Sequence, residues 1–301
     1  MGINKQTLSL ILHENGYRKI EGKYLSIGKQ TVNVDINKIK TLFHKNKLAT
    51  EKLDQIITNQ HYDKQTRHAS DTILDHDLIS SFSNAEYNCL DRSDYEGATV
   101  IHDMNNPVIN DLKEKFDFIY NGSCMDNVFD PVMFIRNTTQ LLKPGGRIIH
   151  LECASGFPGA FLMYSPEWFF SYYAINNFVD CKVYVTIGTE EGETVYSYDT
   201  DLYSWNPFFT RKVGYQYIEA CKTVTGAMHV MIIAEKGKES TDHINPIQMQ
   251  YLDDKEVDWR KMYYQYKKSK RPLIKLDQIK DPLKVTLPYL SDHYQYIGSG
   301  F

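Results

Sequence analysis

The sequence has no long apolar run. At its start, MGINKQTLSLILHENGYRKI, the apolar patch around Leu8 to Leu12 covers about five residues, too short for a signal peptide or a membrane span. Gly2 is present, but position 6 is Gln, so the myristoylation pattern fails. Charge of one sign is missing too. With 24% charged residues and a formal net charge of −4, nothing global favours nucleic acid or an anionic membrane surface. Paired cysteines are absent: Cys89, Cys124, Cys153, Cys181 and Cys221 are odd in number and widely spaced, which suits reduced thiols in a cytoplasm better than a disulfide framework. No G-x-G-x-x-G follows any strand-like run, which argues against a dehydrogenase. The expectation is a soluble cytoplasmic protein with neither a membrane span nor a nucleic-acid partner, leaving room for a homo-oligomer. What the chain does have is length for a large core and 22 tyrosines.

Its most informative stretch is KFDFIYNGSCMDNVFDPVMFIRNTTQLLKPGGRIIHLE, Lys115 to Glu152. Phe116 to Tyr120 is a run of β-formers ending at Asn121-Gly122, and Arg147 to Leu151 is a second. Between them, Asp130 to Leu142 carries apolar residues at helical spacing and closes on Lys143-Pro144-Gly145-Gly146. Strand, loop, helix, turn and strand make a βαβ unit, hence a parallel sheet whose ligands sit beyond the carboxyl ends of the strands.

Earlier in the chain, residues 5 to 16 predict a helix stopping at Asn15-Gly16. Lys23 to Gly28 predicts a strand whose terminal glycine allows a sharp turn or close approach of a ligand. Ile36 to Lys47 has helical spacing. Thr50 to Ser83 is polar; His61, His68 and His76 with Asp63, Asp71, Asp75 and Asp77 match no metal-ligand spacing and read as a solvated surface, so no metal is expected. Tyr87 to Asp91 and Ala98 to His102 read as strands closed by acids. Asp91 suits ribose hydroxyls in a nucleoside-binding fold, or it caps the turn before Tyr95-Glu96-Gly97.

Nine aromatics follow between Phe157 and Phe178, around a helix start at Ser165-Pro166-Glu167. Some must be core, while Phe157, Phe161 and Tyr164, before the helix, are candidates to line a substrate pocket. Lys182 to Ile187 and Met228 to Glu235 predict two more strands, separated by an aromatic-rich insertion. The basic residues Lys267, Lys268, Lys270 and Arg271 read as a solvated face.

The order of these pieces resembles the class I S-adenosylmethionine-dependent methyltransferases, with Leu142-Lys143-Pro144-Gly145-Gly146-Arg147 as the most specific match. Three stretches resemble, more narrowly, bacterial methyltransferases associated with sugars and surface polysaccharides: Ser93 to Ala98 with Ile101-His102-Asp103, Asn121 to Phe129, and Tyr164 to Phe169. The resemblance covers roughly residues 15 to 240. It implies an α/β, Rossmann-like, doubly wound, seven-stranded, mostly parallel sheet with an antiparallel last strand. This domain would span 1–237, with a helical insertion at about 36–84 and an aromatic-rich one at about 188–226, and 238–301 would be a C-terminal extension.

S-adenosyl-L-methionine would be held by Gly28, Lys29, Gln30, Asp91, Arg92, Asp103, Met104, Asn121 and Gly122. Asp103-Met104 would serve as the acid at the adenine and the apolar residue against its ring. The sequence departs from the family at Ser26-Ile27-Gly28-Lys29-Gln30, where a Gly-x-Gly-x-Gly loop is usual. About sixty residues separate Gly28 from Asp91, against the ~20 of nucleotide-binding folds. The narrower relatives carry a histidine where this chain has Asn127, and an amide does not titrate.

Methyl transfer needs orientation and, for a hydroxyl nucleophile, a base. Asp126 is the candidate base. His150 is a second, or else a satisfied core histidine. The expected acceptor is a small molecule or saccharide methylated at oxygen, with Phe157, Phe161 and Tyr164 offering apolar faces to a sugar ring. The alternative is a methyltransferase-fold protein that binds or scaffolds without catalysis.

Overall fold

The computed structural model describes residues 2–56, 73–155, 159–188, 200–205, 228–248, 271–274 and 294–298. Phe157, His61, Asp63, His68, Asp71, Lys267, Lys268 and Lys270 lie outside them. The chain divides into two compact units, Met1–Ile149 and His150–Phe301.

The first unit opens with α1 (Lys5–Tyr17), started by an Asn4–Thr7 capping box. The helix runs through Gly16 rather than stopping there, and Arg18 leaves it in extended conformation. The buried Asn15 closes the turn instead, its Oδ1 accepting from the Ile20 N–H at 2.9 Å. Strand β1 (Lys23–Ile27) is followed by α2 (Ile36–Lys45), capped by Asp35, then α3 (Glu51–Gln55) and α4 (Asp75–Phe82). β2 (Glu86–Asp91), the short β3 (Val100–Ile101), β4 (Phe116–Gly122), α5 (Pro131–Leu141) and β5 (Leu142–Cys153) follow. Asp130 caps α5 and Pro131 occupies its first turn, where a missing N–H costs nothing. β5 begins at the end of α5 and absorbs the Pro-Gly-Gly bend, where Gly145 has φ +84.

In this unit the strands lie in the order β3-β2-β1-β4-β5. β1 is parallel to both β2 and β4, and β2 to β3. The order reverses between β1 and β4, and crevices at such switch points are where open α/β sheets take ligands. Register partners Tyr24, Tyr87 and Phe118 stack across the three central strands with ring centroids 5.6 Å apart in each pair. The Arg147 guanidinium lies 5.3 Å from the Phe118 ring centre. Its nitrogens donate to Glu14 Oε1 at 2.6 Å and to the carbonyls of Arg18 and Lys19 at 2.9 and 2.8 Å, tying β5 to the end of α1.

The second unit continues β5 from His150 and adds α6 (Pro166–Ile175), β6 (Asp180–Gly188), β7 (Thr200–Trp205), β8 (Met228–Glu235) and β9 (Tyr294–Gly298). Its strands run in the order β8-β6-β7-β9, each antiparallel to the next. The described residues thus hold nine strands rather than the expected seven, in a mixed α/β fold with a largely parallel central part. The unforeseen pair are β7, inside the aromatic-rich insertion, and β9, in the tail. Every residue of β7 is buried, so it lacks the alternation that marks a half-exposed strand.

Arg271, expected in a solvated basic face, is buried. It donates to Asp180 Oδ2 at 2.6 Å and Glu235 Oε2 at 2.7 Å, bridging two acids that are register partners on β6 and β8. No helix among the described residues is long and apolar enough to cross a membrane.

Candidate functional site

Parallel pairing brings the tips of four strands to one sheet edge in the first unit. Ile27, the last residue of β1, is in register with Leu90 and with Asn121, and Asp91 with Ile101. The residues that leave these strands are therefore Asp103 beyond β3, Asp91 on β2, Gly28 on β1 and Asn121-Gly122 on β4. The Gly28 N–H donates to the Leu90 carbonyl at 2.7 Å, and the His102 N–H to the Asp91 carbonyl at 2.9 Å, locking neighbouring tips together.

Asp91 is half-buried, and one of its oxygens accepts from the exposed Arg92 N–H at 2.6 Å. Asp103 Oδ1 accepts from both the backbone and the side chain of Asn105 at 2.9 Å. Those bonds hold its carboxyl below the usual range, that is, ionised. Met104, the next residue, is buried. The loop is fixed from α5. Asn137 Nδ2 donates to the carbonyls of Met104 and Asn106 at 3.1 and 2.7 Å, and its Oδ1 accepts from the Val108 N–H at 3.2 Å.

The tips of β1 and β4 meet differently. Gly28 has φ +69, and a Cβ there would lie 2.8 Å from Cys124 Sγ. A Cβ on Gly122 would fall 2.2 Å from Gln30 Oε1. The two glycines thus make room for side chains of the protein itself. The Cys124 thiol donates to the Ile27 carbonyl at 2.9 Å, and Gln30 Nε2 donates to the same carbonyl at 2.8 Å. Gln30 is 4% exposed, and its Oε1 has no hydrogen-bond partner among the described residues. Its backbone N–H donates to Asp75 Oδ2 at 2.8 Å, and the Tyr87 hydroxyl donates to the same oxygen at 2.6 Å. Asp75 is 3% exposed, so it does not belong to the solvated surface expected of residues 50 to 83. Lys29 is half-buried.

After β4, buried Asn121 accepts from the Cys124 N–H at 3.1 Å, and Ser123 takes φ +63, unusual without glycine. The reason is local: the Ser123 hydroxyl donates to Asp126 Oδ2, while Asn127 Nδ2 donates to Asp126 Oδ1 at 2.6 Å and to the Ser123 carbonyl at 3.0 Å. Asp126 is 2% exposed with both oxygens so engaged, which braces the loop.

The remaining candidates belong to the second unit. His150 is wholly buried with Nε2 2.6 Å from the Tyr173 hydroxyl, and burial pushes its pKa down to about 3. It is a satisfied core histidine with a neutral ring. Tyr164 is also core, packed edge-on to Trp168 and tilted against Phe169. Phe161 differs, being 62% exposed.

Sequence reading missed Asp75, Asn137 and the pairing of Cys124 with Gln30. Their partners are distant in sequence, and no local spacing announces them. Among the described residues no group of three or more His, Cys, Asp or Glu is placed to hold a metal.

No protein-family model matches the sequence, nor does any curated protein. Among solved structures the chain is similar to an S-adenosylmethionine-dependent methyltransferase from Archaeoglobus fulgidus, at 12% identity over 77% of this chain and 94% of that one, with a TM-score of 0.38. It is also similar to phosphoethanolamine N-methyltransferase 2 of Haemonchus contortus in complex with S-adenosyl-L-methionine, at 10% identity over 77% and 52%, TM-score 0.37. A third is the [4+2]-cyclase SpnF, at 10% identity over 76% and 80%, TM-score 0.37. Likeness this distant carries no weight for the reaction.

Proposed function

We propose that the first unit binds S-adenosylmethionine along the β3-β2-β1-β4 edge and that the chain transfers its methyl group to a small-molecule or saccharide acceptor, at oxygen. One observation carries this reading: Asp103, Asp91, Gly28 and Asn121 leave successive parallel strands at one edge, astride the switch point between β1 and β4.

The residues present fit the adenosyl end of such a ligand. Asp91, half-buried at its tip, suits a ribose diol, and Asp103, held ionised and followed by the buried Met104, suits the adenine. Gln30 adds a buried carbonyl oxygen awaiting a donor. When bound, the cofactor supplies the reactive carbon, and the protein supplies orientation. Deprotonation of an acceptor hydroxyl falls to Asp126, whose carboxylate would exchange its Asn127 contact for the acceptor. The saccharide end of the reading rests on the three sequence stretches resembling sugar-associated methyltransferases.

The engagement of both Asp126 oxygens favours a second reading, in which the same edge binds the cofactor without turnover. Calorimetric titration of the full chain with S-adenosylhomocysteine tests what the two share. The expected result is micromolar binding, weakened roughly 10- to 100-fold by Asp91→Ala, as for a lost charge-assisted hydrogen bond. Absence of binding would remove both. Methyl release from labelled S-adenosylmethionine over a panel of hydroxyl acceptors then separates them: turnover supports transfer, and Asp126→Asn should slow it while leaving affinity unchanged.

A further inference from the structure

At the β1–β4 switch point, the space left by two glycines is taken up by the protein's own side chains. Cys124 Sγ stands where a side chain at position 28 would begin, and Gln30 Oε1 where one at position 122 would begin. The two side chains touch, with Gln30 Nε2 3.6 Å from Cys124 Sγ, and both donate to the Ile27 carbonyl. Two features distinguish this from ordinary filling of a core. Cys124 is part-exposed, unlike the buried Cys89, Cys153 and Cys181. The Ile27 carbonyl keeps the Gln30 bond when the thiol leaves, so its departure strands no acceptor.

The buried Gln30 Oε1 points to what would come in. It has no donor among the described residues, and the Nε2 bonds to the carbonyls of Ile27 and Gly28 fix which way the amide faces. A buried acceptor in this state is satisfied by a donor brought from outside.

We infer that Cys124 is a displaceable plug over the β1–β4 crevice, setting how tightly the strand-tip site takes a ligand, and that the group admitted when it swings aside carries an N–H or O–H donor for Gln30. The inference rests on the reading of this edge as an S-adenosylmethionine site.

The test is calorimetry of the full chain with S-adenosylhomocysteine, for wild type, Cys124→Ala and Cys124→Ser, with melting curves confirming that each is folded. Cys124→Ala removes the obstruction together with the thiol's bond to the Ile27 carbonyl and its contact with Gln30 Nε2. Affinity should rise about two- to tenfold, the equivalent of one net hydrogen bond. Cys124→Ser keeps a donor of similar size and should stay close to wild type. Binding by Cys124→Ala alone would support the plug in its strongest form. Equal affinity in all three proteins, or weaker binding by Cys124→Ala, would overturn the plug while leaving the cofactor reading intact. No binding by any of them would overturn both.

Discussion

Asp75 accepts the backbone N–H of Gln30 at 2.8 Å across 45 positions of sequence, so the first residue of α4 holds the loop that follows β1. The same oxygen takes the Tyr87 hydroxyl, and the other takes the His76 N–H at 2.9 Å. Replacing Asp75 by Ala strands three donors beside a buried hole. It should cost about 3 kcal/mol in urea unfolding, whereas Tyr87→Phe, which deletes a single donor, should cost about 1 kcal/mol. Similar losses for the two variants would mean that Asp75 holds nothing but the tyrosine.

Asn137 does the corresponding work for the loop beyond β3. Asn137→Leu has similar volume but leaves the Val108 N–H without its acceptor and takes the Asn137 donor from the carbonyls of Met104 and Asn106. A loss of about 1–3 kcal/mol is expected. If Asp103 meets the ligand, affinity for S-adenosylhomocysteine should fall as well, although Asn137 lies behind the loop. A stability loss with unchanged affinity would separate the loop from the site.

His150 makes stability depend on pH. Burial lowers its pKa from the ordinary 6.5 to about 3, so the folded protein keeps the ring neutral while the unfolded chain takes up a proton below about pH 6.5. The contribution is present above that pH and is lost as pH falls from 6.5 toward 3, by at most about 1.4 kcal/mol per pH unit. His150→Gln keeps a polar partner for Tyr173 without titrating. Its unfolding free energy, measured between pH 7 and 5, should fall less steeply than that of wild type. Parallel slopes would show that the histidine does not contribute.

Arg271 bridges two carboxylates that antiparallel pairing sets side by side. Arg271→Ala takes the shared cation from buried Asp180, which keeps Lys182 at 3.6 Å, and from half-buried Glu235, and should cost about 1–3 kcal/mol by chemical denaturation. Arg271→Lys should recover little, because one ammonium cannot reproduce a planar fork spanning two acids. Full recovery by lysine would reduce the bridge to a matter of charge alone.

Much of the chain was legible where its signals are local. Pro131 behind Asp130 starts α5, Ser165-Pro166 starts α6, and β4 is a run of β-formers ending at Asn121-Gly122. What escaped notice depends on partners far along the chain. Asp75 sits in a polar segment and Arg271 in a basic one, and composition cannot show that one meets Gln30 and the other Asp180. Gly28 marked a place of close approach, as glycine often does, but not that the approaching atom is Cys124 Sγ, nor that Gly122 makes room for Gln30.

The stacked rings of Tyr87, Tyr24 and Phe118, continued by the Arg147 guanidinium, also act as a ruler. Side chains alternate between the faces of a strand, so sliding any of these strands by a single residue would turn its rung to the far face and break the row. The same slide would push that strand's tip out of line with its neighbours. Aromatic contacts in the middle of the sheet thereby set the spacing of the acids at its rim, without touching anything that binds there.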